Sequence, residues 1–375
     1  MDPLRRLMRL VMARRSCRAF TARPIQEETL DRIHEATTAL PSVEGQQSGR
    51  AFLVRDPDMA HELVDVLVTG FTSKINIWLA RGERPPAFVV CAGDPERSPV
   101  KEGRYLYNVD AAMAGEAAVL AAASHEIDSI WLAAIGERRV VEFLGLPKGQ
   151  RVNSLIALGH GRKGGLHDAV LQKVVSGRRK PLSDIAFDGR FGVPLVVQPP
   201  DPTRRAAAID LYGVHDGHVD VSLPPPSHAF EGLPDDDQLR LVLDAARWAP
   251  NADNAQLWRW VVIREHGVIE TVLEAAGVPG AVESGSFMLI AGCAAPVLIK
   301  HRTKQQPFAL IDVPIAIVHQ IAMASAGGLG WNLLVNFNYS QVGRALGLPR
   351  DHSPVALLML GRPASGEPPP WQQML

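Results

Sequence analysis

Arg14-Arg15-Ser16-Cys17-Arg18 gathers three guanidiniums, a hydroxyl and a thiol into five residues. Arginine presents a rigid fork of N–H donors that suits phosphate or carboxylate oxygens, so the segment can clamp an anion. A solvated basic turn is the plainer alternative. Cys17 beside these cations is read either as a thiol of lowered pKa or as a packed structural thiol. A second basic run, Ser176-Gly177-Arg178-Arg179-Lys180, lies far along the chain. His215 and His218 form an H-x-x-H with no glutamate between them and no cysteine near, which reads as a solvated pair and not as a metal site. Three cysteines, Cys17, Cys91 and Cys293, far apart and odd in number, argue against a disulfide framework or a cysteine metal site. No metal ligands are expected, and a reducing cytoplasm is the default compartment.

The elements that position these residues come from a chain of 375 residues with 39 Lys+Arg, 40 Asp+Glu and 46% hydrophobic residues, ample for two cored domains. Near-neutral charge excludes a dedicated nucleic-acid or membrane-surface binder. The first twenty residues alternate basic and apolar without a continuous apolar run, unlike a secretory signal. Val313–Gly343 has no charged residue but carries Pro314, His319, Gln320 and three asparagines, so it reads as buried core and a soluble protein is expected.

The chain repeats itself. Phe20, Pro24, Pro41 and Gln47 recur as Phe230, Pro234, Pro250 and Gln256, at offsets of 210, 210, 209 and 209. Asp110, Leu144–Pro147 and Leu158-Gly159 recur as Asp312, Leu346–Pro349 and Leu360-Gly361, each at an offset of 202. A constant offset across separate landmarks is the mark of duplication. The domains are set at 1–197 and 227–375, with a Pro-, Gly- and Asp-rich connector over 198–226. In each half a proline followed by acids opens a helix, where fixed φ and the helix dipole favour them. Ala51–Val54, Ala87–Cys91, Val152–Leu158, Trp258–Ile263, Val297–Lys300 and Val355–Leu360 are predicted strands, and Asp110–Ser124 and Asp312–Ala326 long buried helices. The order of elements gives an α+β fold, each half a small mixed sheet packed with helices.

The ordered set R-R-S-x-R-x-F, an acidic helix, A-P-x-x-x-N-x-Q-x-W, then L-G-L-P and a strand closing in L-G, resembles the nitroreductase-type flavoprotein family once per half. The resemblance implies an intertwined pseudo-dimer with FMN at the interface, one half supplying the R-R-S-x-R clamp and a basic tail, the other a loop beside the flavin ring. On that reading Arg14, Arg15 and Ser16 hold the phosphate with Arg178, Arg179 and Lys180. Arg18 reaches the N1/O2 edge of the ring, where a cation favours the reduced anion and makes it the best candidate for tuning the chemistry. Pro250, Asn251, Asn254 and Gln256 form the loop across the interface, and Ile135-Gly136 approaches the N5 edge.

The halves depart from the pattern in complementary ways. Pro224-Pro225-Pro226 stand where the clamp would be in the second half, and Gly45 stands where the loop asparagine would be in the first. Only the clamp of the first half and the loop of the second are intact, so one FMN per chain is expected. The resemblance implies an FMN-dependent oxidoreductase using NAD(P)H or a reduced substrate on a small organic molecule. The alternatives are an FMN-sequestering protein without turnover and a flavin-free scaffold. Fusion favours a monomeric pseudo-dimer, with a homodimer as the alternative assembly.

Overall fold

The computed structural model describes residues 3–70, 73–162, 179–197, 223–227, 229–279, 287–296 and 308–364. The expected strand at Val297–Lys300, the His215/His218 pair and Arg178 lie outside them. The helices that matter for the site are α1 (Pro3–Ala13), α2 (Glu27–Ala36), α3 (Pro57–Leu67), α4 (Tyr107–Ser124), α5 (Glu137–Phe143), α6 (Asp236–Arg247), α7 (His266–Ala276), α8 (Ala309–Ala326) and α9 (Tyr339–Ala345). The strands are β1 (Gly49–Val54), β2 (Ala87–Gly93), β3 (Val100–Lys101), β4 (Arg104–Tyr105), β5 (Asp128–Leu132), β6 (Arg151–Gly159), β7 (Ala186–Asp188), β8 (Phe230–Gly232), β9 (Trp258–Ile263), β10 (Met288–Ala294), β11 (Gly330–Leu334) and β12 (Ser353–Pro363).

The acidic starts fold as helices for the reasons their sequences give. Glu27 and Glu28 occupy the first turn of α2, and α6 opens with a full capping box in which Asp235 and Gln238 satisfy each other's backbone N–H. The helix α7 stops where Gly277 takes φ +83°, a left-handed C-terminal stop.

One sheet runs β1-β2-β6-β5 and the other β9-β10-β12-β11, the same order in equivalent strands. Cys91 and Cys293 fall at equivalent places in β2 and β10, each beside a register shift against its neighbour. Both thiols are buried, and burial pushes each up to about 12, so they are packing groups. The first sheet is antiparallel throughout, whereas the second gains β7, from the end of the first half, as a parallel partner of β9. The offset falls by seven between α3/α7 and β2/β10, and the first half spends its extra residues there on two helical turns, Ser73–Asn76 and Ile77–Ala80.

The central helices α4 and α8 are apolar on all sides because each is buried on all sides. They pack on each other, joined by a buried contact of Glu116 Oε1 with His319 Nε2 at 2.7 Å. Trp131 Nε1 donates to the other Glu116 oxygen at 2.9 Å. The helix α1 buries Leu7, Met8 and Val11 in the cluster that holds Leu239, Val242 and Leu243 of α6, and it packs chiefly on α8 and α6 of the second half and less on α4 of its own. The first half interlocks with the second by lending it α1 and β7. Among the described residues α8 is the helix long and apolar enough to cross a membrane, and 89% of it is buried inside the protein.

Candidate functional site

Arg14 follows α1, and the packing of α1 on α6 carries it to the C-terminal end of that helix. There Trp248 O accepts from Arg14 Nη2 at 3.3 Å and from Arg179 Nη2 at 3.2 Å. Arg179 Nη1 donates to Asn254 Oδ1 at 3.0 Å, and its guanidinium carbon lies 5.9 Å from the centre of the Trp248 ring. Next to it, Lys180 N donates to Gln256 Oε1 at 2.7 Å, Lys180 Nζ to Ala255 O at 3.1 Å, and Arg247 Nε to Lys180 O at 2.8 Å. The basic tail of the first half is thereby laced onto the asparagine loop of the second.

Cations outnumber carboxylates at this junction, where Asp244 pairs with Arg247 at 2.5 Å. Burial lowers the Arg179 guanidinium to about 10, and the charges acting on it, Arg14, Arg15 and Arg247, are all positive. Arg14 is also lowered, first by burial and further by Arg15, while Glu116 opposes the fall. Among the described residues its buried Nε has no hydrogen-bond partner. Like charges drawn half out of water cost free energy that an anion placed among them would return. A dianionic phosphate fits this donor set better than any neutral group.

Other expected residues take varied places. Arg15 is exposed and donates to Met12 O and, at 2.8 Å, to Arg14 O. Ser16 is exposed and pairs as a β-bridge with Ser129, and Cys17 N donates to Ser129 O at 3.0 Å, which ties the clamp to β5. The Cys17 thiol points to Ala19 O at 3.3 Å, and Arg18 is half-buried. Pro250 is buried at the start of the loop. Asn251 ties the loop to itself, its Oδ1 accepting from Gln256 N at 2.8 Å. Gly136 precedes α5 at φ −79°, so its backbone demands no glycine. Asn76 in the extra turns donates to Ala134 O at 2.7 Å, and Ala133 packs with Ala252 and Ala255 around Leu257 and Phe308. The Ile135-Gly136 segment is thus buttressed from the first half and abuts the loop of the second.

The pseudo-symmetric position is different. Ser227 N donates to Trp331 O at 2.7 Å, as Cys17 N does to Ser129 O, so the three prolines before Ser227 run where the clamp runs in the first half. Proline offers neither a side-chain donor nor an N–H. Asn336 Nδ2 donates to Glu44 Oε1 at 2.5 Å, and Glu102 accepts from Ser340 N at 3.2 Å and Ser340 Oγ at 2.6 Å at the start of α9. Arg104 donates to Pro354 O at 2.7 Å and covers the Tyr339 ring at 4.0 Å. Carboxylates and a hairpin bridge the halves here.

Sequence reasoning missed Arg247, Trp248 O and Asn76. A basic residue in a last helical turn reads as a dipole partner, and a backbone acceptor leaves no trace in sequence. Asn76 could have been found from the change of offset, which marks seven residues that one half has and the other lacks.

Two interlocked α+β halves meet at a cation-rich junction and define an internally duplicated protein. The chain belongs to the Nitroreductase family, whose family model matches residues 11–160 and again 231–362. A protein of Archaeoglobus fulgidus provisionally named NADH dehydrogenase/NAD(P)H nitroreductase is 28% identical over 160 residues, 41% of this chain and 84% of its own. Among solved structures, a nitroreductase family protein of Clostridium difficile 630 is 18% identical and covers 47% of this chain and 94% of its own, with a TM-score of 0.37. The NADPH:FMN oxidoreductase of Vibrio harveyi is 23% identical over 47% of this chain and 77% of its own, with a TM-score of 0.35.

Proposed function

We propose that the chain is an FMN-dependent oxidoreductase with one flavin site, exchanging electrons between NAD(P)H, or a reduced substrate, and a small organic acceptor. The observation that carries this is the convergence of Arg14, Arg15, Arg179 and Arg247 at the junction, where the charges acting on Arg179 are all positive. Arg14, Arg15, Ser16 and Arg179 would hold the phosphate, with Asn254 orienting Arg179. Bound there, FMN would supply the two-electron chemistry, which leaves orientation and electrostatics to the protein. Arg18 would place its cation at the pyrimidine edge of the ring. The Ile135-Gly136 segment, held by Asn76, would line the opposite edge. The unequal halves, 1–197 and 227–375, form the two domains of a monomeric pseudo-dimer working in the cytoplasm. Reconstitution with FMN, followed by anaerobic titration with NADPH and NADH, tests the reading. Bleaching of one bound flavin supports it. A flavin that neither nicotinamide nor a candidate substrate reduces favours sequestration, and absence of binding favours a scaffold.

A further inference from the structure

Each central helix carries one buried aspartate near its start, and each aspartate holds a loop. Asp110 on α4 accepts from Val43 N at 2.8 Å and from Ser48 Oγ at 3.4 Å. Asp312 on α8 accepts from Ala252 N alone of these equivalents, with both oxygens, at 3.3 and 3.2 Å. Val43 and Ala252 open the same turn in the two halves. The turns share their conformation: Glu44 and Asp253 have φ +53° and +51°, and Gln47 and Gln256 have φ +48° and +49°. Ser42 Oγ and Asn251 Oδ1 perform the same tie, to Gln47 N and Gln256 N.

What the turns present differs. In the first half the turn ends in exposed Gln46 and Gln47. In the second, Asn254 holds Arg179 and buried Gln256 holds Lys180 N, so the turn leads directly into the cation cluster. From this juxtaposition we propose that Asp312 is a positioning residue for the anion site: by fixing Ala252 it fixes the place from which Asn254 aims Arg179. The identity of the anion as FMN rests on the proposed function; the positioning role does not.

The Asp312 tether is also the sparser of the two. Leu257 stands where Ser48 stands in the first half, so the helping hydroxyl is gone. Burial and, less strongly, the exposed Asp253 carboxylate push Asp312 up to about 7, whereas the Val43, Gly49 and Ser48 donors hold Asp110 to about 6 against its burial. A carboxyl with so few donors among the described residues transmits any loss of its contact with Ala252 N to the turn.

The test compares Asp312→Leu, Asp312→Asn and Asp110→Leu with wild type, reading FMN affinity by flavin fluorescence and, without flavin, thermal stabilisation by inorganic phosphate. Asp312→Leu should weaken both ligands tenfold or more, and Asp312→Asn, whose carbonyl still accepts from Ala252 N, should stay within threefold of wild type. Asp110→Leu should lose comparable stability yet bind both within threefold of wild type. Equal weakening in Asp312→Leu and Asp110→Leu, or none in Asp312→Leu, overturns the proposal. A wild type that responds to phosphate but not to FMN sinks the flavin reading and leaves the positioning role to be decided by phosphate alone. A wild type that responds to neither overturns both. If Asp312→Leu does not fold, the Asn variant decides: normal binding supports the tether, and a tenfold loss contradicts it.

Discussion

Replacing Arg179 by glutamine should leave the unliganded protein nearly as stable as wild type while weakening its hold on FMN. The guanidinium falls from 12.5 to about 10 through burial and three neighbouring cations. At 1.36 kcal/mol per pKa unit this amounts to roughly 3 kcal/mol against the charged form, and screening at a half-buried position reduces it to roughly 1–3 kcal/mol. Removing the charge relieves that cost. Against it stand the lost hydrogen bonds to Trp248 O and Asn254 Oδ1, about 1 kcal/mol each. The two nearly cancel. Affinity for FMN has no such compensation, because a hydrogen bond that pairs the guanidinium with an ionised phosphate contributes about 1.5–3 kcal/mol, or roughly tenfold to 150-fold in Kd. Riboflavin, which has no phosphate, serves as the control. Fluorescence titration should show FMN affinity falling while riboflavin affinity holds, with the melting temperature of the flavin-free protein nearly unchanged. Equal losses for both flavins, or an FMN affinity like that of wild type, would refute the assignment of Arg179 to the phosphate.

Three other perturbations follow from the same geometry. Asn254→Gly copies Gly45 into the second half at φ +52°, which glycine accepts without strain, so FMN affinity should fall about tenfold with little change in melting temperature. Asp312 is raised from 3.8 to about 7, so between those values the folded state binds more protons than the unfolded one, and stability falls as pH rises. Denaturant titrations should therefore show Asp312→Asn gaining on wild type by up to roughly 4 kcal/mol between pH 4 and 7 and holding a constant difference above; a difference that does not vary with pH would contradict the burial argument. Asn76→Ala leaves Ala134 O without its donor at a cost of about 1–3 kcal/mol and should slow flavin reduction by NAD(P)H in stopped-flow measurements while FMN affinity stays near wild type.

Much of this architecture was legible in the chain because duplication prints each element twice. The landmarks Phe20/Phe230, Pro41/Pro250 and Asp110/Asp312 fix the equivalence, and the paired strands β1/β9 and β6/β12 and helices α4/α8 follow it. Proline and acids at the starts of α2 and α6 are local signals that tertiary packing did not override. Two kinds of feature were not legible. The strand β10 carries Ala291, Gly292 and Ala294, so its local signal is weaker than that of the more β-branched Val297–Lys300. The pairing of β7 with β9, and the laying of α1 across α6, are long-range contacts that no local pattern encodes. The site divides the same way: Arg14, Arg179 and Asn254 stood out by residue type, whereas the roles of Trp248 O, Asp312 and Asn76 come from where the chain folds them.

The proposed function requires one flavin site, made from the clamp of the first half and the loop of the second. The most direct measurement reconstitutes the protein with FMN, removes the excess, releases the bound flavin by denaturation and counts it against protein concentration. One FMN per chain is the predicted result, lost on Arg179→Gln. Two per chain would mean that Pro224–Pro226 and Gly45 do not disable the other position, and none would mean that the junction does not bind FMN.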